Sequence, residues 1–232
     1  MTAITSNLQV VNHAIAQAAC MAQRRKESIE LLAVSKGVSA VAVREACQAG
    51  HRAFGESYIQ EALDKIELLR DLPLQWHFIG PVQSNKTRAI ATHFTWVHSV
   101  DRLKIAERLS AQRPASLPPL NVCIQVNVSG EDSKSGLAPG GLIELAQAVA
   151  SLPQLKLRGL MAIPAPAEGL EAQRIPFFKL HELIQQINMQ GLALDTLSMG
   201  MSHDFSAAIL EGATIVRIGT AIFGERNYGG NQ

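Results

Sequence analysis

The chain predicts an α/β fold, a single (β/α)8 TIM-type barrel with an extra N-terminal helix. Two observations carry that prediction. Short runs rich in Val, Ile, Leu and Phe alternate with longer amphipathic stretches, eight times in about 190 residues. The first of these runs leads into Ser35-Lys36-Gly37-Val38-Ser39-Ala40, which lacks the GxGxxG fingerprint of a dinucleotide-binding open sheet. An open doubly wound sheet is the alternative, since eight strands also fit one flat array.

The elements follow in order. Residues 1–26 read as the N-terminal helix, regular from residue 3. The stretch MTAITSNLQVVNHAIAQAAC has no basic region and is interrupted by Asn, Gln and His, so it reads as amphipathic and not as a signal peptide. Strands are expected at 31–35, 52–55, 75–80, 94–98, 120–128, 157–163, 194–198 and 214–218. Helices are expected at 39–49, 57–70, 84–91, 101–112, 139–151, 171–190 and 203–211. Ser39, Ser84, Asp101 and Ser202 stand where N-caps belong, and Gly50, Gly191 and Gly212 where helices stop. The Pro-rich stretch Arg113–Pro119 is the best candidate linker, but the alternation continues across it, so it reads as a helix-to-strand loop. The expected domain is therefore residues 1–232, with the Gly-rich 227–232 as a flexible tail.

Composition narrows the function classes. With 47% hydrophobic and 18% charged residues the chain is globular. Its net charge of +1, with both signs dispersed, gives no footprint for nucleic acid or an anionic membrane. No apolar run reaches the roughly 18 residues of a membrane span. Cys20, Cys47 and Cys123 form no CxxC pair and read as reduced buried thiols of a cytoplasmic protein. The histidines have no metal-ligand spacing, and no metal is expected.

Barrels place their chemistry at the carboxyl ends of the strands. Lys36 stands there, closing the apolar run Leu31–Ser35. Partial desolvation on the rim of the core lowers the pKa of such an amine and makes it a nucleophile toward carbonyls. A solvated strand-end lysine is the plainer reading. Met199-Gly200-Met201-Ser202 follows the seventh strand, where Gly200 permits a tight turn and the next helix start offers free N–H groups to an anion. Arg217 interrupts the apolar eighth strand and needs a partner, with Glu56 or Asp204 the candidates for a salt bridge. Gly219-Thr220 ends that strand, and barrel phosphate sites often use the loops after the last two strands. An amine, an anion cup and an inward arginine together suit a phosphorylated aldehyde with a planar ring.

These residues lie in motifs that resemble a known family. AVSKG, FGESYIQEA, WHFIGPVQSNK, the DSKSG loop, LRGLMAI, LSMGMSHDF and VRIGTAIFGER resemble the YggS/PROSC family of pyridoxal phosphate homeostasis proteins, from about residue 10 to 226. The resemblance implies a barrel like the N-terminal domain of alanine racemase, with pyridoxal 5'-phosphate as an internal aldimine on Lys36. It implies that Met201, Ser202, Gly219 and Thr220 hold the phosphate and that Arg217 faces the pyridine nitrogen. The family usually has Asn at the position of Ser57, near the ring; here the motif reads GES and not GEN. A guanidinium stays protonated, so it donates to the ring nitrogen and leaves the ring neutral, a poor electron sink.

Alanine racemase takes its second base, a tyrosine, from a C-terminal β-domain for which this chain has no room. Only Tyr58 and Tyr228 are available here. The resemblance therefore implies cofactor homeostasis, buffering and delivery to PLP-dependent apo-enzymes by a cytoplasmic monomer, with no strong catalysis. An amino-acid racemase is the first alternative and a cofactor-free sugar-phosphate barrel the second. The polar loop Ser129–Gly141 reads as a lid, and its Lys134 as a solvated lysine, a contact to the cofactor phosphate or a holder of transferred aldehyde. Met199 and Met201 read as packing residues. The polar end of GPVQSNKT, residues 80–87, is expected near the mouth of the site.

Overall fold

The computed structural model describes residues 2–130 and 135–225. After helix α1 (Ala3–Met21), strands and helices alternate: β1 (Glu30–Val34), α2 (Ala40–Gln48), β2 (Ala53–Glu56), α3 (Ile59–Leu68), β3 (Gln75–Phe78), α4 (Thr87–His93), β4 (Trp96–Val100) and α5 (Leu103–Gln112). They continue with β5 (Leu120–Gln125), α6 (Leu142–Ala150), β6 (Leu155–Met161), α7 (Leu170–Met189), β7 (Thr196–Ser198), α8 (Phe205–Leu210), β8 (Ile215–Ile218) and α9 (Thr220–Phe223). The strands pair in chain order and β8 closes on β1, all parallel, so the sheet is a barrel and not an open array.

Two apolar layers follow from the period of two along each strand. Leu32, Ala53, Trp96, Cys123, Met161 and Ile215 fill the barrel interior, with Ile79 above them. Their neighbours Ala33, Phe54, Val97, Val122, Leu160 and Val216 face outward and pack under the helices. Strands β6 and β7 approach so closely that a Cβ on Gly159 would lie 1.8 Å from the Thr196 carbonyl oxygen.

Helix α1 buries Leu8, Val11, Ile15, Ala18 and Ala19, a stripe at helical spacing, and packs on α2, α8 and α9. It ends at Met21, short of the expected residue 26. Gln23 turns into the left-handed region, φ 55°, and Arg24 donates to the carbonyl oxygens of Ile209 in the last turn of α8 and of Ala213 just past it. The guanidinium thereby ties the residues after α1 to the C-terminal end of α8 in place of helix continuation. Lys26–Ser28 form a separate 3-10 turn.

Among the proposed caps, Ser39 accepts from Ala42 N–H. Ser84 does not cap: it opens a 3-10 turn before α4 and offers its carbonyl to Thr87 and Arg108. The carboxylate of Asp101 is taken by Arg102. Ser202 stands two residues before the N-cap position of α8, which is Asp204. The glycine stops hold, Gly50, Gly191 and Gly212 lying at φ 91–96° just past α2, α7 and α8. Arg113–Pro119 is a pinned helix-to-strand loop, its buried Arg113 donating to the carbonyls of Ala91, Phe94 and Pro118. Cys47 and Cys123 are buried, whereas Cys20 is exposed on the outer face of α1.

Candidate functional site

A cavity of about 230 Å³ opens at the carboxyl end of the barrel. Lys36, Ser57, Met201, Ser202, Arg217, Gly219 and Thr220 all line it, together with Val34, Ile79, Ile163 and His203. The residues come from the ends of β1, β2, β7 and β8, which closure makes neighbours although they are up to 184 positions apart. Met201 therefore walls the cavity and is 38% exposed, unlike Met199, which is fully buried packing.

The β7–α8 turn is shaped by Gly200 at φ 92°, where a Cβ would lie 2.6 Å from that of Ala208. Asp204 folds back so that its Oδ1 accepts from Met201 N–H at 2.6 Å. The backbone around Met201 and Ser202 is thereby held at the cavity wall by a side chain, the work that a serine cap was expected to do. Across the gap, α9 begins at Thr220 behind Gly219, and its first amides have no intrahelical carbonyl to reach.

Arg217 is buried, and neither expected acid pairs with it. Its Nη1 donates to Ser198 Oγ at 2.8 Å and its Nη2 to the Ala162 carbonyl at 2.9 Å, both neutral oxygens. Glu56 is bound instead to Lys65, and Asp204 to the Met201 amide. Burial lowers the Arg217 pKa to about 10, with Asp204 acting against it, so the guanidinium remains charged at neutral pH.

A polar chain continues inward from that arginine. Ser198 Oγ lies 2.7 Å from His98 Nδ1, and His98 Nε2 lies 3.0 Å from His77 Nδ1. Arginine only donates, so Ser198 accepts from it, and the same hydroxyl is hydrogen-bonded to His98 Nδ1. Both imidazoles are wholly buried, and desolvation pulls the His77 pKa down to about 3 and that of His98 well below its ordinary value. Both are neutral spacers that keep a second positive charge away from Arg217.

At the end of β1, Lys36 is half-buried. Beside it Glu56 is fully buried, and its Oε1 accepts from Ser35 Oγ and Lys65 Nζ, each at 2.6 Å. Burial raises the Glu56 pKa, with the Lys65 ammonium opposing it. Lys65 and His77 escaped the sequence reading, whereas His98 and Ser198 stand at strand ends where the barrel rule looks for chemistry, without a sign of their link to Arg217. The signals were present: His98 shares the inward parity of Trp96, and Lys65 sits on the Ala62–Leu69 stripe of α3 where an apolar residue belongs.

The polar end of GPVQSNKT does lie at the mouth. Pro81, Gln83 and Lys86 form a second recess with Tyr58 and Gln60 that shares Ser57 with the cavity. Both described ends of the Ser129–Gly141 loop are tied down: Ser129 Oγ accepts from Ala165 N–H, and Val126 bridges to Leu137. Lys134, Tyr228 and the tail 227–232 lie outside the described residues. Among the described residues no cluster of three or more His, Cys, Asp or Glu is placed to hold a metal, and no helix is long and apolar enough to cross a membrane.

The fold and this cavity define a parallel barrel that gathers Lys36, Arg217 and the Met201-Ser202 and Gly219-Thr220 segments at its carboxyl mouth. The model of the alanine racemase N-terminal domain matches residues 2–227. A pyridoxal phosphate homeostasis protein of Pseudomonas aeruginosa is 63% identical over 229 residues, 99% of this chain and 98% of that protein. The solved structure of PipY from Synechococcus elongatus with PLP bound superposes with a TM-score of 0.80 at 38% identity, covering 90% of this chain and 100% of that one. An alanine racemase of Clostridium difficile shares the fold alone, with TM-score 0.74 and 14% identity over 97% of this chain and 57% of that one. The chain belongs to the alanine racemase N-terminal domain family and, within it, to the pyridoxal phosphate homeostasis proteins.

Proposed function

We propose that this chain binds pyridoxal 5'-phosphate in the barrel-mouth cavity as an internal aldimine on Lys36 and serves cofactor homeostasis. The observation that carries the reading is the convergence of Lys36, Arg217 and the Met201-Ser202 and Gly219-Thr220 backbones on one cavity of about 230 Å³. The donor set fits the group. It offers a primary amine for an aldehyde, amides and hydroxyls for a phosphate dianion, a charged guanidinium for a ring nitrogen, and Val34, Ile79 and Ile163 for the ring faces. The cofactor supplies an aldehyde that condenses with an amine, releasing one water.

The other contributions are those of the protein. Arg217 donates and cannot give up its proton, so the ring nitrogen it faces stays unprotonated and carbanion chemistry is disfavoured. Storage and delivery to PLP-dependent apo-enzymes in the cytoplasm, by a monomer with no strong activity of its own, fit that electronic setting. The relationship of the fold to racemases supports amino-acid racemisation as the second reading.

Mass spectrometry of the borohydride-reduced protein tests the attachment: the phosphopyridoxyl mass belongs on the peptide with Lys36, and a label on Lys86 or Lys134 refutes it. Incubation with single-enantiomer amino acids in deuterated water separates the readings. Storage predicts no deuterium at Cα; racemisation predicts its steady uptake. A protein that stays colourless after addition of the cofactor would point to a sugar-phosphate barrel.

A further inference from the structure

We propose that Lys65, through Glu61 and Glu56, is a positioning residue that sets the backbone of Lys36 for covalent attachment; this rests on the reading of Lys36 given above. Lys65 projects from the middle of α3 with 6% of its side chain exposed. Its Nζ donates to the Ser35 carbonyl at 2.6 Å, to Glu56 Oε1 at 2.6 Å and to Glu61 Oε1 at 2.8 Å. An ammonium has three hydrogens, and all three are committed. The same Glu61 Oε1 accepts from Gly37 N–H at 2.6 Å, and Ser35 Oγ donates to Glu56. The residue before Lys36 is therefore gripped at its carbonyl and hydroxyl, and the residue after it at its amide.

The sheet does not provide this hold. Strand β1 ends at Val34, and the bond from Ser35 N–H to Gly55 O is the last rung before the chain turns at Gly37, φ 70°. Lys36 lies one residue past the ladder, where a single main-chain turn bond, Val38 N–H to the Ser35 carbonyl, and these side chains fix its Cα. Stability is a poor explanation for the arrangement, because a buried ion pair adds little over an apolar pair of the same shape. The geometry has two consequences for the attachment. It restricts the arc swept by the Lys36 amine, which raises its effective concentration at the cavity. It also keeps the amine of Lys65, a near neighbour in space, fully engaged and unable to compete for a carbonyl.

The test compares wild type with Lys65→Met, Glu61→Ala and Glu61→Gln, all as apo-protein. The rate of Lys36 adduct formation on mixing with pyridoxal 5'-phosphate is read by absorbance. Affinity for pyridoxine 5'-phosphate, an alcohol that forms no imine, is measured by calorimetry. Lys65→Met and Glu61→Ala should slow attachment by about ten- to a hundredfold while leaving the alcohol's affinity within about twofold. Glu61→Gln keeps an acceptor for Gly37 N–H and should restore the rate. Hydrogen exchange at the Gly37 amide, with no cofactor present, should quicken in Glu61→Ala only. Glu61 is part-exposed, so its variants report even if Lys65→Met fails to fold. Unchanged rates in Glu61→Ala, or equal losses of rate and of alcohol affinity, would overturn the positioning role. A wild type with no reducible adduct at Lys36 would overturn the attachment reading and this role with it.

Discussion

Arg217 and His98 share a single oxygen, the hydroxyl of Ser198, which takes a hydrogen bond from the guanidinium at 2.8 Å and is hydrogen-bonded to the imidazole Nδ1 at 2.7 Å. The inward arginine of the last strand is thus anchored by neutral groups only. Its charge stays uncompensated by any paired carboxylate and is directed to whatever occupies the cavity. Arg217→Lys keeps the charge but loses the two-pronged grip on Ser198 and Ala162. We expect cofactor affinity to fall about tenfold with the barrel still folded, measured by spectrophotometric titration and thermal melts; unchanged affinity would show that the fork geometry is irrelevant.

The histidine chain gives the protein an acid weakness of predictable sign. His77 and His98 have folded pKa values depressed by burial, His77 to about 3, against 6.5 unfolded. Below pH 6.5 the unfolded chain binds protons that the folded chain refuses, so stability falls as pH falls through that value. Each histidine contributes about 1.4 kcal/mol per pH unit until its folded pKa is reached. Urea midpoints should drop between pH 7 and pH 5, and His77→Phe should flatten that slope. Equal slopes in the two proteins would count against the assignment.

Replacing Lys36 with alanine should abolish the reducible adduct without moving the melting temperature by more than a few degrees, since the residue lies on the cavity wall and not in the core. Weak, phosphate-dependent binding should survive through Ser202 and Thr220, seen as competition by inorganic phosphate. A label persisting on the variant would place the attachment elsewhere.

Gly80 carries the close approach that shapes the Ser57 side of the site. A Cβ there would sit 2.2 Å from the Ser57 carbonyl oxygen, a backbone atom with no side-chain freedom to yield. Gly80→Ala should displace the β2–α3 loop, costing about 2–3 kcal/mol and reducing cofactor affinity together. Gly159→Ala, 1.8 Å from Thr196 O at the β6–β7 contact, should destabilise at least as much but leave the affinity of the folded fraction unchanged. Denaturant melts with parallel titrations distinguish the two.

Ser57 offers the gain-of-contact experiment. It lines both the main cavity and the adjoining recess. Ser57→Asn restores the amide usual in the family, adds a donor and an acceptor, and narrows the opening between the two spaces. Cofactor release, followed by transfer to a scavenging apo-enzyme, should slow severalfold; faster release would show that the added bulk outweighs the new hydrogen bonds.

Most of the barrel was legible because its cues are local. Period-two apolar runs, glycines just past helices and the Pro-rich loop each act within a few residues, and β1 to β8 appear within a few positions of where those cues put them. Local cues fail where a distant group competes for the same atoms. Helix α1 stops short because Arg24 finds carbonyls at the end of α8 and just past it, 185 and 189 positions away. Ser202 loses its capping role because Asp204 folds back onto the Met201 amide.

The candidate site divides along the same line. Lys36, Met201, Ser202, Arg217, Gly219 and Thr220 are written into the chain as unusual residues at strand ends, and parallel-barrel topology alone implies that such ends meet on one face. Which acid pairs with which base is not written there. Glu56 was free to answer Arg217 or Lys65, and only the closed barrel decided, by turning Arg217 inward to Ser198 and Glu56 outward to α3. Side-chain parity assigns a face, but a partner is chosen by distance in three dimensions, and a buried charge is stabilised by whichever group the packing brings within about 3 Å.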